Sequence, residues 1–378
     1  MDEVSLLKKI VSINSITGNE KKLAEFLEKQ LQQAGFATKR IWLPDGRFNV
    51  VGERGSQDKP LLFYGHMDTV PPYGKWSHDP FCLTQKDGRL YGLGVFDMKA
   101  GIAATICACK QTTERRIKVA FCVDEENISE GAFALLKSGF ANDVEAVITG
   151  EIASALGRCL GPRQITLGRR GRCVLEIFVP GTSAHGAHAQ KGINAIDEAC
   201  RLVMHLNKMN AQLGSHPLLP PPTQFVRRIC AESTSLSVPQ EAIIELDRHL
   251  VPPQTPKTAL LQTKAFIRSL YARGEFREIN RKRIQVHLKP RKTPYLSPYL
   301  TPKKSPTVKL VEAAVKKHAG KPVYAYGASV ADENVLALLE VPVISVGPLG
   351  ANEHSANEWI TKKSYLQLVR IFSDLMRN

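Results

Sequence analysis

The apolar positions divide the chain into stretches with different rhythms. Near the N-terminus, Leu6 and Ile10, then Leu23, Phe26, Leu27 and Leu31, recur at helical spacing. They predict amphipathic helices over residues 3–15 and 18–35, parted by the turn and helix start Thr17-Gly18-Asn19-Glu20. Short, continuous apolar runs then alternate with helical segments. The runs are Leu61–Tyr64, Ile117–Val123, Val144–Ile148 and, much later, Val341–Val346, with an apolar helix over residues 99–112 between the first two. This alternation predicts an α/β sheet with helices on both faces.

The middle of the chain reads differently. Residues 173–179 alternate like a half-buried strand, followed by a helix at 192–211 and strands at 224–237 and 240–250. A second helix at 257–273 and a last strand at 282–289 complete the order β-α-β-β-α-β, a ferredoxin-like pattern. Proline-rich stretches, Pro217 to Pro222 and Pro290 to Pro306, flank or interrupt it. The expected organisation is therefore an inserted domain over 171–292. Residues 1–170 and 293–378 would then be the two parts of one discontinuous α/β catalytic domain. A chain of 378 residues is long for one core and comfortable for two.

Each predicted buried strand is followed by a side chain able to hold a metal. His66 and Asp68 follow the first, Glu125 and Glu126 the second, Glu151 the third, and His354 lies in the loop after the fourth. Asp97 adds a carboxylate just before the apolar helix. In an open α/β sheet ligands bind at the carboxyl ends of the strands. Taken singly, each residue has a plain structural reading, such as a satisfied histidine, a solvated acidic turn or a helix N-terminal carboxylate. Five such readings ending at one sheet edge are a poorer account than one site. Two imidazoles with three carboxylates suit zinc, with cobalt or manganese as substitutes. One ion cannot use them all and keep a position open. Two ions about 3.5–4 Å apart, sharing a carboxylate and a water, can. A further carboxylate beside the shared water would take its proton and pass it to the leaving amine.

Composition narrows the class. With 43% hydrophobic and 23% charged residues this is a folded chain, and no run of eighteen apolar residues predicts a membrane span. The start Met1-Asp2-Glu3-Val4 is acidic and leads straight into a helical pattern, so a cytoplasmic protein is expected. Eight scattered cysteines without a C-x-x-C pair read as free, buried thiols. The net charge of +15 owes much to Lys257 through Lys292. That run reads as a solvated basic face, nucleic acid being the alternative partner, without a nucleic-acid-binding signature.

The residues also carry a resemblance. Gly65-His66-Met67-Asp68-Thr69-Val70-Pro71, Trp76-Ser77-His78-Asp79-Pro80-Phe81 and Asp87 through Gly94 leading to Asp97-Met98-Lys99 make a specific run. With Gly150-Glu151 and Glu353-His354, the chain resembles the zinc aminoacylase and carboxypeptidase family over nearly its whole length. That family includes acetylornithine deacetylase, succinyl-diaminopimelate desuccinylase and glutamate carboxypeptidase. The resemblance implies two Zn²⁺ per subunit: His66 and Glu151 on one, Glu126 and His354 on the other, and Asp97 bridging. It makes Glu125 the general base and acid, with Asp68 orienting the His66 ring. Gly181 through Gly186 and Gly192 through Ile196 resemble the family's lid domain, which implies a homodimer by edge-strand pairing. His185 would then stabilise the oxyanion in the partner's site.

Departures from the family pattern fall on substrate recognition: Ala189 for proline, Leu236 for asparagine, Ile152 for proline, His249 for a second basic residue, and Gly327 through Asp332 for Gly-Thr/Ser-Asp. The expected activity is removal of an acyl group from an N-acyl amino acid, its carboxylate received by Arg248 and also by Arg169 or Arg170. A dipeptidase or carboxypeptidase, or a non-catalytic metal- or nucleic-acid-binding relative, are the alternatives.

Overall fold

The computed structural model describes all residues except 1, 57–58, 112–114, 153–158, 211–212, 234 and 378. The chain forms two compact units, Met1–Arg169 with Leu300–Asn378, and Arg170–Tyr299. The second boundary lies beyond the expected residue 292. Leu296 O accepts from Arg172 N (2.8 Å), and the Tyr295 hydroxyl donates to Lys289 O (3.0 Å), so this proline-rich stretch belongs with the inserted unit.

The first unit is built on a nine-stranded mixed sheet. Its centre is the four expected apolar runs, which lie side by side in the order Ile117–Cys122, Leu61–His66, Ala146–Thr149, Val343–Ser345 and pair in parallel. Every residue of these four strands is buried, as continuous apolar runs require when both faces are covered. The helix Ala100–Gln111 has ten buried residues of twelve and shares one core with the C-terminal helix Lys362–Arg377. The expected end of the former, residue 112, lies outside the described residues. Gly101 and Gly150 allow this helix to press on the sheet: a Cβ on Gly150 would stand 2.4 Å from the Gly101 Cα. The first helix covers Glu3–Val11, shorter than expected. The chain turns after it, where Asn14 Oδ1 accepts from Ile16 N (3.2 Å) and Ser15 O accepts from Thr69 N (3.0 Å). The second helix, Lys21–Gln33, is also shorter, beginning after the turn at Gly18.

The second unit has the expected β-α-β-β-α-β order: Gly171–Pro180, Ala195–Met209, Thr223–Cys230, Glu241–Leu250, Pro256–Ala272 and Gln285–Leu288. Residue 211 of the expected first helix and residue 234 of the expected second strand lie outside the described residues. The four strands pair antiparallel, with Gly171–Pro180 and Glu241–Leu250 central and Thr223–Cys230 and Gln285–Leu288 at the edges. Period-two alternation sends Ala242, Ile244, Leu246 and Leu250 into a core with Leu202 and Leu206 of one helix and Ile267 and Leu270 of the other. Thr255 and Thr258 form a reciprocal capping box that starts the second helix.

Candidate metal centre

The site grows from the carboxyl ends of the central strands. His66 is the last residue of its strand and is 1% exposed. Its Nδ1 faces the Asp68 carbonyl oxygen at 3.0 Å. Its Nε2 lies 3.0 Å from Asp97 Oδ1 and 3.2 Å from Glu151 Oε2. On the other side of Asp97, His354 Nε2 stands 3.4 Å from Asp97 Oδ2 and 2.9 Å from Glu126 Oε2. The two oxygens of one carboxylate thus address two different imidazoles, each with a second acid of its own. His66, Asp97 and Glu126 offer ligand atoms within 4.8 Å of one another. These five side chains are the ones expected as ligands, and the chain brings them together.

Electrostatics show how costly the cluster is when its acids face one another. Burial, reinforced by Asp97, pushes the Glu151 carboxyl up to about 8. Burial likewise raises Glu126, with Asp97 adding to the effect. Hydrogen bonds to Asp97 and Glu126 lift His354 to about 11. At His66, burial alone would lower the basicity, but bonds to Asp68, Asp97 and Glu151 outweigh it and hold the ring well above its ordinary value. Acids this close need positive charge between them. Neutral imidazole and ionised carboxylate around divalent cations would supply it, and the donor set fits that use.

Glu125 differs from its neighbour. Its carboxylate is paired with neither imidazole among the described residues, and burial holds it well above the usual carboxylate range, with Asp332, Glu126 and Glu151 adding to the effect. Asp68 fixes the loop that carries both glutamates. Its Oδ1 accepts from Glu125 N and its Oδ2 from Glu126 N, both at 3.1 Å, and Thr17 Oγ1 donates to Oδ2 at 3.0 Å. Asp68 therefore sets both glutamates as well as standing behind His66. Asp124 continues the loop by accepting from Glu130 N (3.1 Å) and pairing with Arg47 (3.0 Å).

Glu358 is a positioning residue that the sequence reading missed. It is 2% exposed, and its carboxylate accepts the backbone N–H groups of Gly94 (2.6 Å), Phe96 (2.7 Å) and Asp97 (3.0 Å). Three donors on one carboxylate shape the loop that presents Asp97, whose peptide bond to Met98 is cis. Lys99, 1% exposed, donates to Ile13 O at 2.9 Å behind the same loop. Asp332, noted in the sequence only as part of a departure from the family pattern, accepts from the Tyr64 hydroxyl two residues before His66. His354 itself sits at φ 56°, a left-handed backbone that a non-glycine residue adopts only where its surroundings hold it.

The basic residues expected to receive a substrate carboxylate are placed otherwise. Arg248 is 1% exposed within the second unit. Its Nη1 donates to Ala259 O (3.1 Å) and Thr263 Oγ1 (3.0 Å), and its Nη2 to Gln262 Oε1 (2.8 Å). It lies on the strand face that carries Leu246 and Leu250, and so fastens the sheet to a helix instead of facing a ligand. Arg169 is equally buried in the first unit and binds Glu333 Oε1 (2.9 Å) and Ile152 O (2.5 Å). Arg170 donates to Pro221 O (2.7 Å). The assignment of Arg248 or Arg169 to substrate is therefore corrected. His185 is exposed on its loop, its Nδ1 accepting from Ala187 N at 3.1 Å. Leu236 is 84% exposed. All eight cysteines are free: Cys107, Cys109, Cys122 and Cys173 are buried as expected, Cys159 is half-buried, and Cys82, Cys200 and Cys230 are exposed.

Residues 62–378 match the model of peptidase family M20/M25/M40. A probable succinyl-diaminopimelate desuccinylase of Staphylococcus epidermidis is 32% identical over 223 residues, 57% of this chain and 53% of that protein, so the match spans about half its length. A succinyl-diaminopimelate desuccinylase of Sulfurimonas denitrificans is 24% identical over 379 residues, 100% of this chain and 99% of that protein. A tripeptidase of Staphylococcus aureus shares the fold, with a TM-score of 0.79 at 19% identity, covering 99% of this chain and 97% of the other.

Proposed function

We propose, since this chain belongs to peptidase family M20/M25/M40 and is a metal-dependent hydrolase of amide bonds, that it removes the acyl group from an N-acyl amino acid. The observation that carries the reading is the split use of Asp97, with Oδ1 on the His66–Glu151 side and Oδ2 on the His354–Glu126 side. That arrangement suits a bridge between two cations, His66 and Glu151 holding one, Glu126 and His354 the other. Zinc is the metal proposed, with cobalt or manganese as substitutes. When bound, such cations polarise the amide carbonyl and acidify water.

The chain's own residues do the rest. Glu125, raised by burial and held by the Asp68 clamp on its N–H, takes a proton from the attacking water. It then returns that proton to the nitrogen of the breaking C–N bond, which leaves as the amine. Asp68 and Glu358 act at one remove, keeping the glutamate loop and the Asp97 loop in register. His185 is proposed as the donor to the developing oxyanion. A homodimer through the edge strand Thr223–Cys230 is supported by Phe225 and Ile229, 50% and 42% exposed on that strand. No helix among the described residues is long and apolar enough to cross a membrane. Eight free thiols support a reducing, cytoplasmic setting.

The desuccinylase relatives favour deacylation over peptide cleavage. The test is a turnover screen on protein of measured metal content, setting N-succinyl-diaminopimelate, N-acetylornithine and simple N-acetyl amino acids against dipeptides. Turnover of an N-acyl substrate is the expected result. Turnover of dipeptides alone would replace the reading with a dipeptidase. Inactivity on every substrate with both metals bound would contradict hydrolysis by this centre.

A further inference from the structure

The basic run between Lys257 and Lys292 takes no part in the chemistry above, yet part of it lines two hollows of the second unit. In the second unit the strand Gln285–Leu288 is an edge, paired among the described residues only with Gly171–Pro180. Lys289 N donates to Val174 O in continuation of that register, so Gln285 and His287 direct their backbone groups at the neighbouring strand. Val286 and Leu288 therefore turn theirs outward. The outward N–H before them, on Ile284, is already taken by the Tyr271 hydroxyl at 2.9 Å.

Beside this edge runs a groove of about 260 Å³ between the strand and the helix Pro256–Ala272. Ile267, Ile284 and Val286 give it an apolar floor, and Lys264, Arg268 and Arg283 a cationic rim. A shallower hollow of about 650 Å³ continues past Leu288 to Lys257. Among the described residues no aspartate or glutamate lines either one. Arg283 meets Glu278 and Lys289 meets Glu245, but Lys257, Lys264 and Arg268 have no carboxylate partner among the described residues.

We propose that this groove docks an extended, acidic peptide segment of another protein, added as a strand to Gln285–Leu288. Outward main-chain groups would pair with the segment, an apolar side chain would fill the floor, and flanking carboxylates would meet the rim. The charge chooses the partner: a second copy of this chain would bring cations to cations. The apolar floor seats a hydrocarbon side chain and offers nothing to a phosphate, which disfavours nucleic acid.

The experiment is fluorescence anisotropy on the full chain with a short labelled peptide alternating Glu and Leu. Its Lys-Leu counterpart and a thymidine oligonucleotide are the comparisons. Saturable binding of the acidic peptide alone is expected. It should weaken roughly tenfold or more in Lys264→Glu/Arg268→Glu, while melting temperature and turnover hold. Methylating alternate peptide amides should weaken binding in one phase and spare it in the other. Failure of the acidic peptide to bind, indifference to the double substitution, or equal binding of both methylated forms would overturn the proposal. So would oligonucleotide binding tighter than the peptide's.

Discussion

Both units bury charged side chains, but they do so to different ends. In the second unit the buried arginine, Arg248, is surrounded by acceptors on one helix, and each Nη group has a partner. Buried Asp247 is likewise taken by Arg172, with oxygen–nitrogen distances of 2.5 to 3.2 Å. Arg248 Nε lacks a partner among the described residues but is buried inside the unit. In the first unit five candidate ligand side chains meet near strand ends with acids crowded against acids, and Glu125 remains outside the imidazole pairs among the described residues. A satisfied buried charge fastens a structure, whereas a crowded set of like charges marks a place where something positive is meant to sit.

The comparison is broken most directly at Glu125. Glu125→Gln should lower kcat by a factor on the order of 10² or more, with metal content and melting temperature near those of the parent. Loss of metal in step with activity would show that base and ligand have been exchanged. Glu358→Gln comes next: it weakens the carboxylate that gathers three N–H groups around the Asp97 loop. Metal affinity should fall by roughly 10–100-fold, measured by competition with a chelator. Unchanged affinity with a lower melting temperature would make Glu358 a purely structural residue.

The second unit should respond in the opposite sense. Arg248→Ala should destabilise by about 2–4 kcal/mol, through a cavity and lost hydrogen bonds, and leave KM within about twofold. A tenfold rise in KM at constant melting temperature would return Arg248 to the substrate. The smallest effect is a pH dependence at His249. Burial, assisted by Arg170, lowers this ring from 6.5 to about 4. The unfolded chain therefore takes up the proton first as pH falls. The contribution to stability is complete above about 6.5 and is lost as pH falls through about 4. His249→Gln should flatten the melting-temperature profile across that window, and an unchanged slope would deny the burial of the ring.

The two units also differ in how much of them was legible. The four central strands could be read because both faces of the sheet are covered, which forces continuous apolar runs. His66, Glu126 and Glu151 could be placed at the sheet edge because each stands within four residues of a strand's carboxyl end, whereas His354 lies nine residues beyond Val343–Ser345. Arg248 was misjudged because residue type was weighed before period. Ala242, Ile244, Leu246 and Leu250 already mark its face as the buried one, leaving His249 on the other. Glu358 carried no such signal, since its N–H donors lie 261 to 264 positions away in the chain and only folding joins them. The boundary near Tyr299 was hidden in the same way, since it rests on bonds between distant positions such as that from Arg172 N to Leu296 O.

The central claim is that Asp97 bridges two cations. A crystal grown with excess zinc, measured at the zinc absorption edge, should show two anomalous peaks flanking Asp97. One belongs beside His66 and Glu151, the other beside Glu126 and His354. A single peak away from Asp97, or none at these side chains, would contradict the account.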